Sequence, residues 1–234
     1  MKEKPRIIVF SLISPGRFLW PSFIRAKPLY VFRSYPQGLK HKLAGPLFRL
    51  LLSSDAVVLG VSDYTARTIL DSWGIHSSDS RFGVLRNSTG DAAVGLRTLR
   101  AGEKQILMVG RVDQEKNPFF WLDVASEVLR QVTENYRFIW LGDGSLRELA
   151  MDYAWQLGIH QSVTFEGFIE ETDSYYQSSD LYLHLASVEP MSNALIDALR
   201  HGLPTIASDA GGNSEAVLDG VNKFRDQLRR DVTT

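Results

Sequence analysis

Four short runs of this chain are apolar on both faces of an extended backbone: IIVF at 7–10, VVLGV at 57–61, ILMV at 106–109 and FIWL at 138–141. A strand with one wet face alternates apolar and polar residues, whereas a continuously apolar strand must be covered on both sides. Strands of that kind belong to parallel sheets sandwiched between helices, and segments of helical periodicity do lie between the runs. Strands are expected at Arg6–Phe10, Pro28–Phe32, Ala56–Val61, Phe82–Leu85, Gln105–Gly110, Tyr136–Leu141, Ser162–Phe165, Leu181–His184 and Thr205–Ala207. Helices are expected at Lys40–Leu52, Asp63–Trp73, Pro118–Val132, Ser145–Gln156, Ser174–Ser178, Asn193–Arg200 and Asn213–Leu218. Ser62-Asp63, Asn117-Pro118 and Asp143-Gly144-Ser145 read as helix starts. The repeating βαβ pattern predicts an α/β fold with Rossmann-like, doubly wound parallel sheets.

The stretch Asn87–Lys104 is the one linker-like segment, with mixed charge and weak periodicity. It predicts two domains, 1–98 and 99–234, a division that suits the 234-residue length. The charge is split along the same line. Residues 1–52 hold ten Lys/Arg and one acid, and the other 182 hold 16 bases against 26 acids, although the net charge is only −1. Phe18, Trp20, Phe23, Tyr30, Phe32 and Tyr35 are interleaved with the early bases, as at an anionic membrane surface. A nucleic-acid partner is not expected, because no nucleic-acid-binding signature accompanies these bases. A solvated basic face is the plainer alternative.

Composition removes several chemistries. With no cysteine, a disulfide scaffold, a thiolate nucleophile and a thiolate metal site are excluded. No apolar run approaches the ~18–20 residues that span a bilayer. The opening MKEKPRIIVFSLISPGR reads as a strand rather than a signal peptide, since its apolar stretch stops at Pro15. The expectation is a soluble, cytoplasmic chain, at most peripheral on the inner face of a membrane. His41, His76, His160, His184 and His201 are scattered, without metal-ligand spacing, so no metal site is read from them, and no cofactor is expected. A hydrolase elbow and the glycine fingerprint of a Rossmann oxidoreductase are both missing.

In doubly wound sheets, ligands sit where strand ends run into helix N-termini. The strand-end loops here are Gly110-Arg111-Val112-Asp113-Gln114-Glu115-Lys116-Asn117, then Gly142-Asp143-Gly144, Glu166-Gly167-Phe168, the run from Ala186 to Asn193, and the run from Ser208 to Glu215. Arg111 and Lys116 in one loop suit a diphosphate, because Arg offers a planar fork and Lys a point charge. Glu189 and Asp197 stand eight residues apart across a loop and the helix it enters. Asp197 interrupts the apolar ALIDAL, where an acid needs a ligand or a basic partner. Taken singly, each residue has a bland reading: surface charges at Arg111 and Lys116, a turn at Gly142-Asp143-Gly144, a solvated loop acid at Glu189.

GRVDQEKN, FIWLGDG, VTFEGF and SVEPMSNALIDALRHGLPTIASDAGGNSEAV together resemble glycosyltransferase family 4, the retaining group with the GT-B fold. The likeness is dense over 104–220 and fainter over 28–88, in KPLYVFRSYP, VVLGVSDYTAR and VLRN. It implies a nucleotide-sugar donor bound by the second Rossmann-like domain and a glycan or lipid-linked acceptor at the first. Arg111 and Lys116 would then neutralise the diphosphate, Glu189 would contact the transferred sugar, and Asp197 would hold the ribose. Asp197 is one methylene shorter than the family's glutamate. Pro190 replaces a glycine, leaving Met191, Ser192 and Asn193 to present amides. Gly110, Gly142, Asp143 and Gly144 would line the donor, with the base near Gly167 and Phe168. The family's opening glycine-rich loop, first-domain histidine and C-terminal crossing segment are not evident, so an incomplete N-terminal domain is expected. A donor-binding subunit that needs a partner subunit is the alternative.

Overall fold

A computed structural model describes residues 6–11, 26–34, 50, 52–89, 102–218 and 224–226. The chain divides into two compact units, residues 1–87 and 88–234. The domain boundary expected at 98/99 and nearly all of the expected helix Lys40–Leu52 lie outside the described residues.

Among the described residues the first unit holds four strands, β1 (Ile7–Phe10), β2 (Lys27–Phe32), β3 (Val57–Gly60) and β4 (Phe82–Val84), all parallel and adjacent in chain order. Helix α1 (Asp63–Trp73) joins β3 to β4. Its start is set by Ser62, whose hydroxyl accepts from the Thr65 amide at 3.0 Å. Its end is set by Gly74, whose φ of 61° closes the last turn. Ile69 and Trp73 of α1 are buried with Tyr30, Ala56 and Val58. The Trp73 ring meets Phe32 and Phe82 edge-on at 5.6 and 6.0 Å.

The second unit runs β5 (Glu103–Val109), a 3₁₀ turn (Gln114–Lys116), α2 (Pro118–Gln131), β6 (Asn135–Leu141), α3 (Arg147–Gln156) and β7 (Val163–Gly167). It continues through α4 (Asp173–Ser178), β8 (Leu181–His184), α5 (Asn193–Arg200), β9 (Thr205–Ser208), α6 (Asn213–Ala216) and β10 (Phe224–Asp226). The six strands among the described residues are all parallel, in the order β10-β9-β8-β5-β6-β7. The order reverses between β5 and β8, which is the topological switch point of a Rossmann sheet. Both faces are covered. Trp121 of α2 packs edge-on against Phe138 and Trp140 on one face, with ring centroids 5.5 and 5.2 Å apart. On the other, Tyr176 of α4 lies 6.0 Å from Tyr182 of β8. This is the doubly wound architecture that the apolar runs require.

Differences from expectation are local. Asn117 precedes α2 in the left-handed region (φ 56°) and makes no side-chain cap bond, leaving Pro118 to start the helix. The Asp143-Gly144-Ser145 stretch is no cap either: α3 begins at Arg147, and the Asp143 carboxylate accepts from the Gly144 amide at 2.8 Å. The extra strand β10 carries no apolar alternation; it forms by adding its backbone to the edge at β9. β5 begins two residues earlier than expected because its ladder with β6 continues through polar positions, where Arg137 and Glu103 pair at 3.3 Å.

The glycines after β6 serve the packing of one strand-end loop on another. A Cβ at Gly142 would stand 2.0 Å from the Gly110 carbonyl oxygen, and one at Gly144 would stand 2.3 Å from that of Val112. Gly142 also has a φ of 140°. Gly142→Ala is therefore expected to destabilise the fold by more than about 2 kcal/mol, through overpacking and a disfavoured φ together. Gly158→Ala, at φ 72° in open space, should cost only about 1 kcal/mol. Urea unfolding of both variants compares the two; equal losses would show that the loop contact is not tight.

Candidate functional site

The switch point brings the loop after β5 beside the loop after β8. The Ser187 amide and hydroxyl both donate to the Glu115 carbonyl, at 2.9 and 3.2 Å. The loop after β9 joins them: the Ser208 hydroxyl donates to the Ala186 carbonyl at 2.5 Å, and the Gly212 amide to that of Glu189 at 2.8 Å. Asp113 accepts from the Lys116 amide at 3.2 Å and so shapes the 3₁₀ turn.

This framework sets the Lys116 ammonium against the Glu189 carboxylate in an ion pair. The two side chains are only 15% and 8% exposed, so the charges are largely withdrawn from water. On its other side, the same Glu189 oxygen lies 3.4 Å from Nε2 of His184, which is fully buried. Burial works against ionisation of Glu189, but His184 and Lys116 together hold its carboxyl below the ordinary value. Burial lowers the His184 imidazole in turn and favours the neutral ring, with Glu189 pulling the other way.

Arg111 is placed differently. Its side chain is 72% exposed, and its guanidinium pairs with Asp113 at 2.9 Å and Glu115 at 3.5 Å, within its own loop. Met191 and Ser192 are buried, Asn193 is exposed, and the Ser192 hydroxyl caps α5 by accepting from the Leu195 amide at 3.3 Å. Asp197, one turn further on, has the basic partner its apolar setting calls for: Arg200 Nε, 3.5 Å away. Burial still pushes the Asp197 carboxyl up, against Arg200 and a side-chain hydrogen bond from Thr89.

Gly110, Gly142, Asp143 and Gly144 lie at the ends of β5 and β6. Gly110 accepts from the Trp140 indole at 2.8 Å, the Gly142 amide donates to Gly167 at 2.7 Å, and the Val112 amide to Asp143 at 3.0 Å. Gly167 has a φ of 76°, and Phe168 after it is 79% exposed. Sequence reasoning passed over His184, Tyr182 and Arg200. For the first two the available signal was the alternation in LYLH, which puts both rings on one face of the strand entering the Glu189 loop.

The second unit is a parallel Rossmann-like sheet with charged strand-end loops gathered at its switch point. Residues 97–225 match the family of glycosyl transferases group 1, and the chain belongs to that family. It is 36% identical over 110 residues to the Vi polysaccharide biosynthesis protein VipC/TviE of Salmonella typhi, covering 47% of this chain and 19% of that protein. It is 31% identical over 106 residues to a Campylobacter jejuni alpha-1,4-N-acetyl-D-galactosaminyltransferase named for a PP-undecaprenol saccharide, covering 45% and 29%. The fold matches crystal structures of Anabaena Alr3699/HepE in complex with UDP and glucose (TM-score 0.76, 20% identity, 95% of this chain and 64% of that one). It also matches a glycosyltransferase from Rickettsia africae (TM-score 0.75, 14% identity, 94% and 62%). The chain thus spans less than a third of these two curated relatives and under two thirds of the solved structures. Its units are Rossmann-like sheets of the GT-B type.

Removing one partner of a largely buried ion pair leaves an uncompensated charge. Lys116→Met is expected to destabilise the chain by about 3 kcal/mol, and the double variant Lys116→Met/Glu189→Gln to recover most of that loss. A double-mutant cycle in chemical denaturation checks it; additive losses would show that the two charges do not interact.

Proposed function

We propose that the second unit binds a nucleotide-sugar and that the chain takes part in glycosyl transfer, with retention, to a glycan or lipid-linked acceptor. The Lys116–Glu189 pair at the switch point carries this reading, because it sets a cation for phosphate beside an acid for sugar hydroxyls. Family membership and the UDP complexes of the Anabaena protein support it.

In this reading Lys116 and Arg111 meet the diphosphate and Glu189 a hydroxyl of the transferred sugar. Asp197 meets the ribose, and Phe168 lies beside the base, with amides from Met191 to Asn193 toward phosphate. The anomeric carbon–oxygen bond to the β-phosphate breaks, its electron pair leaving with the diphosphate. An acceptor hydroxyl forms the new bond on the same face, and its proton passes to the departing phosphate. Charge develops on that phosphate, so fixed cations aimed there give the main stabilisation, without a metal. Lys116 is engaged by Glu189 at rest, so diphosphate binding must share or draw away the ammonium. Arg111 is held only by exposed pairs, worth at most about 1 kcal/mol, and swings easily.

Isothermal titration with UDP, with GDP and ADP as comparators, tests this. Arg111→Ala and Lys116→Ala are each expected to weaken UDP binding roughly tenfold, the loss of one charge-assisted contact. Asp197→Asn should weaken it too. Glu189→Gln should bind UDP as tightly as wild type or more so, since it frees Lys116, and yet lose transfer from UDP-glucose. Unchanged UDP affinity in both cation variants would overturn the assignment.

We further propose that the basic stretch 1–52 faces an anionic membrane or lipid-linked acceptor, on the strength of its ten Lys/Arg against one acid. Among the described residues no helix is long and apolar enough to cross a membrane. Each base near such a surface contributes about 1 kcal/mol. Co-sedimentation with anionic vesicles should be clear at low salt and fall steeply as salt rises. Equal binding to neutral vesicles would leave the stretch as a solvated face.

A further inference from the structure

Glu189 has two neighbours, and only one of them is a cation that the reaction needs elsewhere. His184 is fully buried, and its Nδ1 lies 3.3 Å from the Tyr182 hydroxyl, which is also 3.2 Å from the Val109 carbonyl. The two rings stack 5.8 Å apart, 21° from parallel, on one face of β8. A phenol has a single proton to give. If it goes to Nδ1, the hydroxyl gives up donating to the Val109 carbonyl, and the imidazole carries its own proton on Nε2, aimed at the carboxylate. If it goes to Val109, Nδ1 bears a proton, and either a bare Nε2 lone pair faces an anion, which is repulsive in a dry site, or the ring carries a charge that its complete burial opposes. The first arrangement joins Tyr182, His184 and Glu189 in one donor chain.

We propose that His184 is a positioning residue: held as the neutral Nε2–H tautomer by the Tyr182 hydroxyl, it donates to Glu189 and keeps that carboxylate aimed when Lys116 turns to a diphosphate. The inference rests on the reading of Lys116 and Glu189 given above. The 3.4 Å separation from Nε2 to the carboxylate is longer than a good N–H···O bond, and His184 Nε2 has no other partner. That slack is what the carboxylate takes up once the ammonium on its far side departs. A neutral donor suits the task, since a second cation would hold the carboxylate but quench the charge it presents to the sugar. Burial of the ring acts in the same direction. The titratable groups facing this pair are Lys116 from the turn after β5 and Tyr182 on β8, with Tyr176 of α4 and Asp197 of α5 beyond Tyr182.

Two measurements on the full chain decide it. Long-range ¹H–¹⁵N spectra of the ligand-free protein, with His184 assigned by its loss in His184→Gln, should show the neutral Nε2–H tautomer at pH 7. The Nδ1–H tautomer or an imidazolium there would overturn the proposal. Steady-state turnover of UDP-glucose then compares His184→Phe, which keeps a planar ring without a donor, with His184→Gln, whose amide can donate from the Nε2 position. The Phe variant should lose kcat roughly tenfold or more, with KM and UDP affinity much less affected, and Gln should restore most of it. In His184→Phe the acid limb of kcat should move to higher pH, because a group that lowers the Glu189 pKa is gone; in Gln it should move back. Equal losses in both variants, or an acid limb that stays in place, would refute positioning. If the wild type itself fails to turn over UDP-glucose, that sugar is not its donor, and the tautomer alone then judges His184.

Discussion

An ammonium and a carboxylate, both largely removed from water, meet where the strand order of the second sheet reverses, and neither is stable there without the other. Moving a charge into the interior costs several kcal/mol per ion, so the pair persists only if its geometry is held from outside. The surrounding backbone supplies that hold. Ser187 ties the loop after β8 to the turn carrying Lys116, Gly212 ties the Glu189 carbonyl to the loop after β9, and Asp113 closes the turn itself. Three consecutive strand ends are thereby cross-linked through carbonyls rather than through the reacting side chains. Lys116 and Glu189 are left with their side-chain charges as their only obligation to each other.

In the proposed function, a resting ion pair of this kind stores the charge that a diphosphate would need. Lys116 cannot be rehydrated cheaply, and Glu189 offers it an anion until a better one arrives. A diphosphate carries more negative charge than a carboxylate and accepts from several directions, so exchange of partners is favourable provided Glu189 is not stranded. That condition is the physical reason for the neutral donor proposed at His184 on its far side. It also separates the two cations of the loop. Lys116 is buried and committed, whereas Arg111 is exposed and bound only to acids of its own turn.

Much of this was legible in the residues. Short apolar runs alternating with helical periodicity placed nine of the described strands within two residues of their ends, although Ile7 and Val9 of the first run are exposed, and the loops after those strands contained the charged residues that meet. The pairing itself was not legible, because Lys116 and Glu189 are 73 positions apart and only the β5–β8 ladder makes them neighbours. Asp197 shows how far local reasoning reaches: an acid in an apolar helix face implied a ligand or a base, and the base stands three residues on, at Arg200. His184 shows where it stops. A lone histidine at a strand end reads as core, and it acquires a role only when the next loop folds back over it. β10 eluded reading because an edge strand of three residues forms from the neighbour's unpaired backbone rather than from its own apolar content.

Gly142 and Gly144 show why a motif and its mechanism need separate arguments. A glycine pair at a strand end suggests room for a ligand, and the resemblance of FIWLGDG to a donor-binding loop strengthens that suggestion. In the folded chain the room is already filled by protein: the missing Cβ atoms admit the carbonyls of Gly110 and Val112, and Asp143 accepts from the Val112 amide through its own carbonyl. The glycines therefore reach any ligand through the loop they support. They seat the Gly110–Val112 backbone, which leads into the turn carrying Lys116, against the loop after β6. A side chain at either position would collide with that backbone. Its effect on binding would then be indistinguishable from loss of a contact unless stability were measured beside affinity.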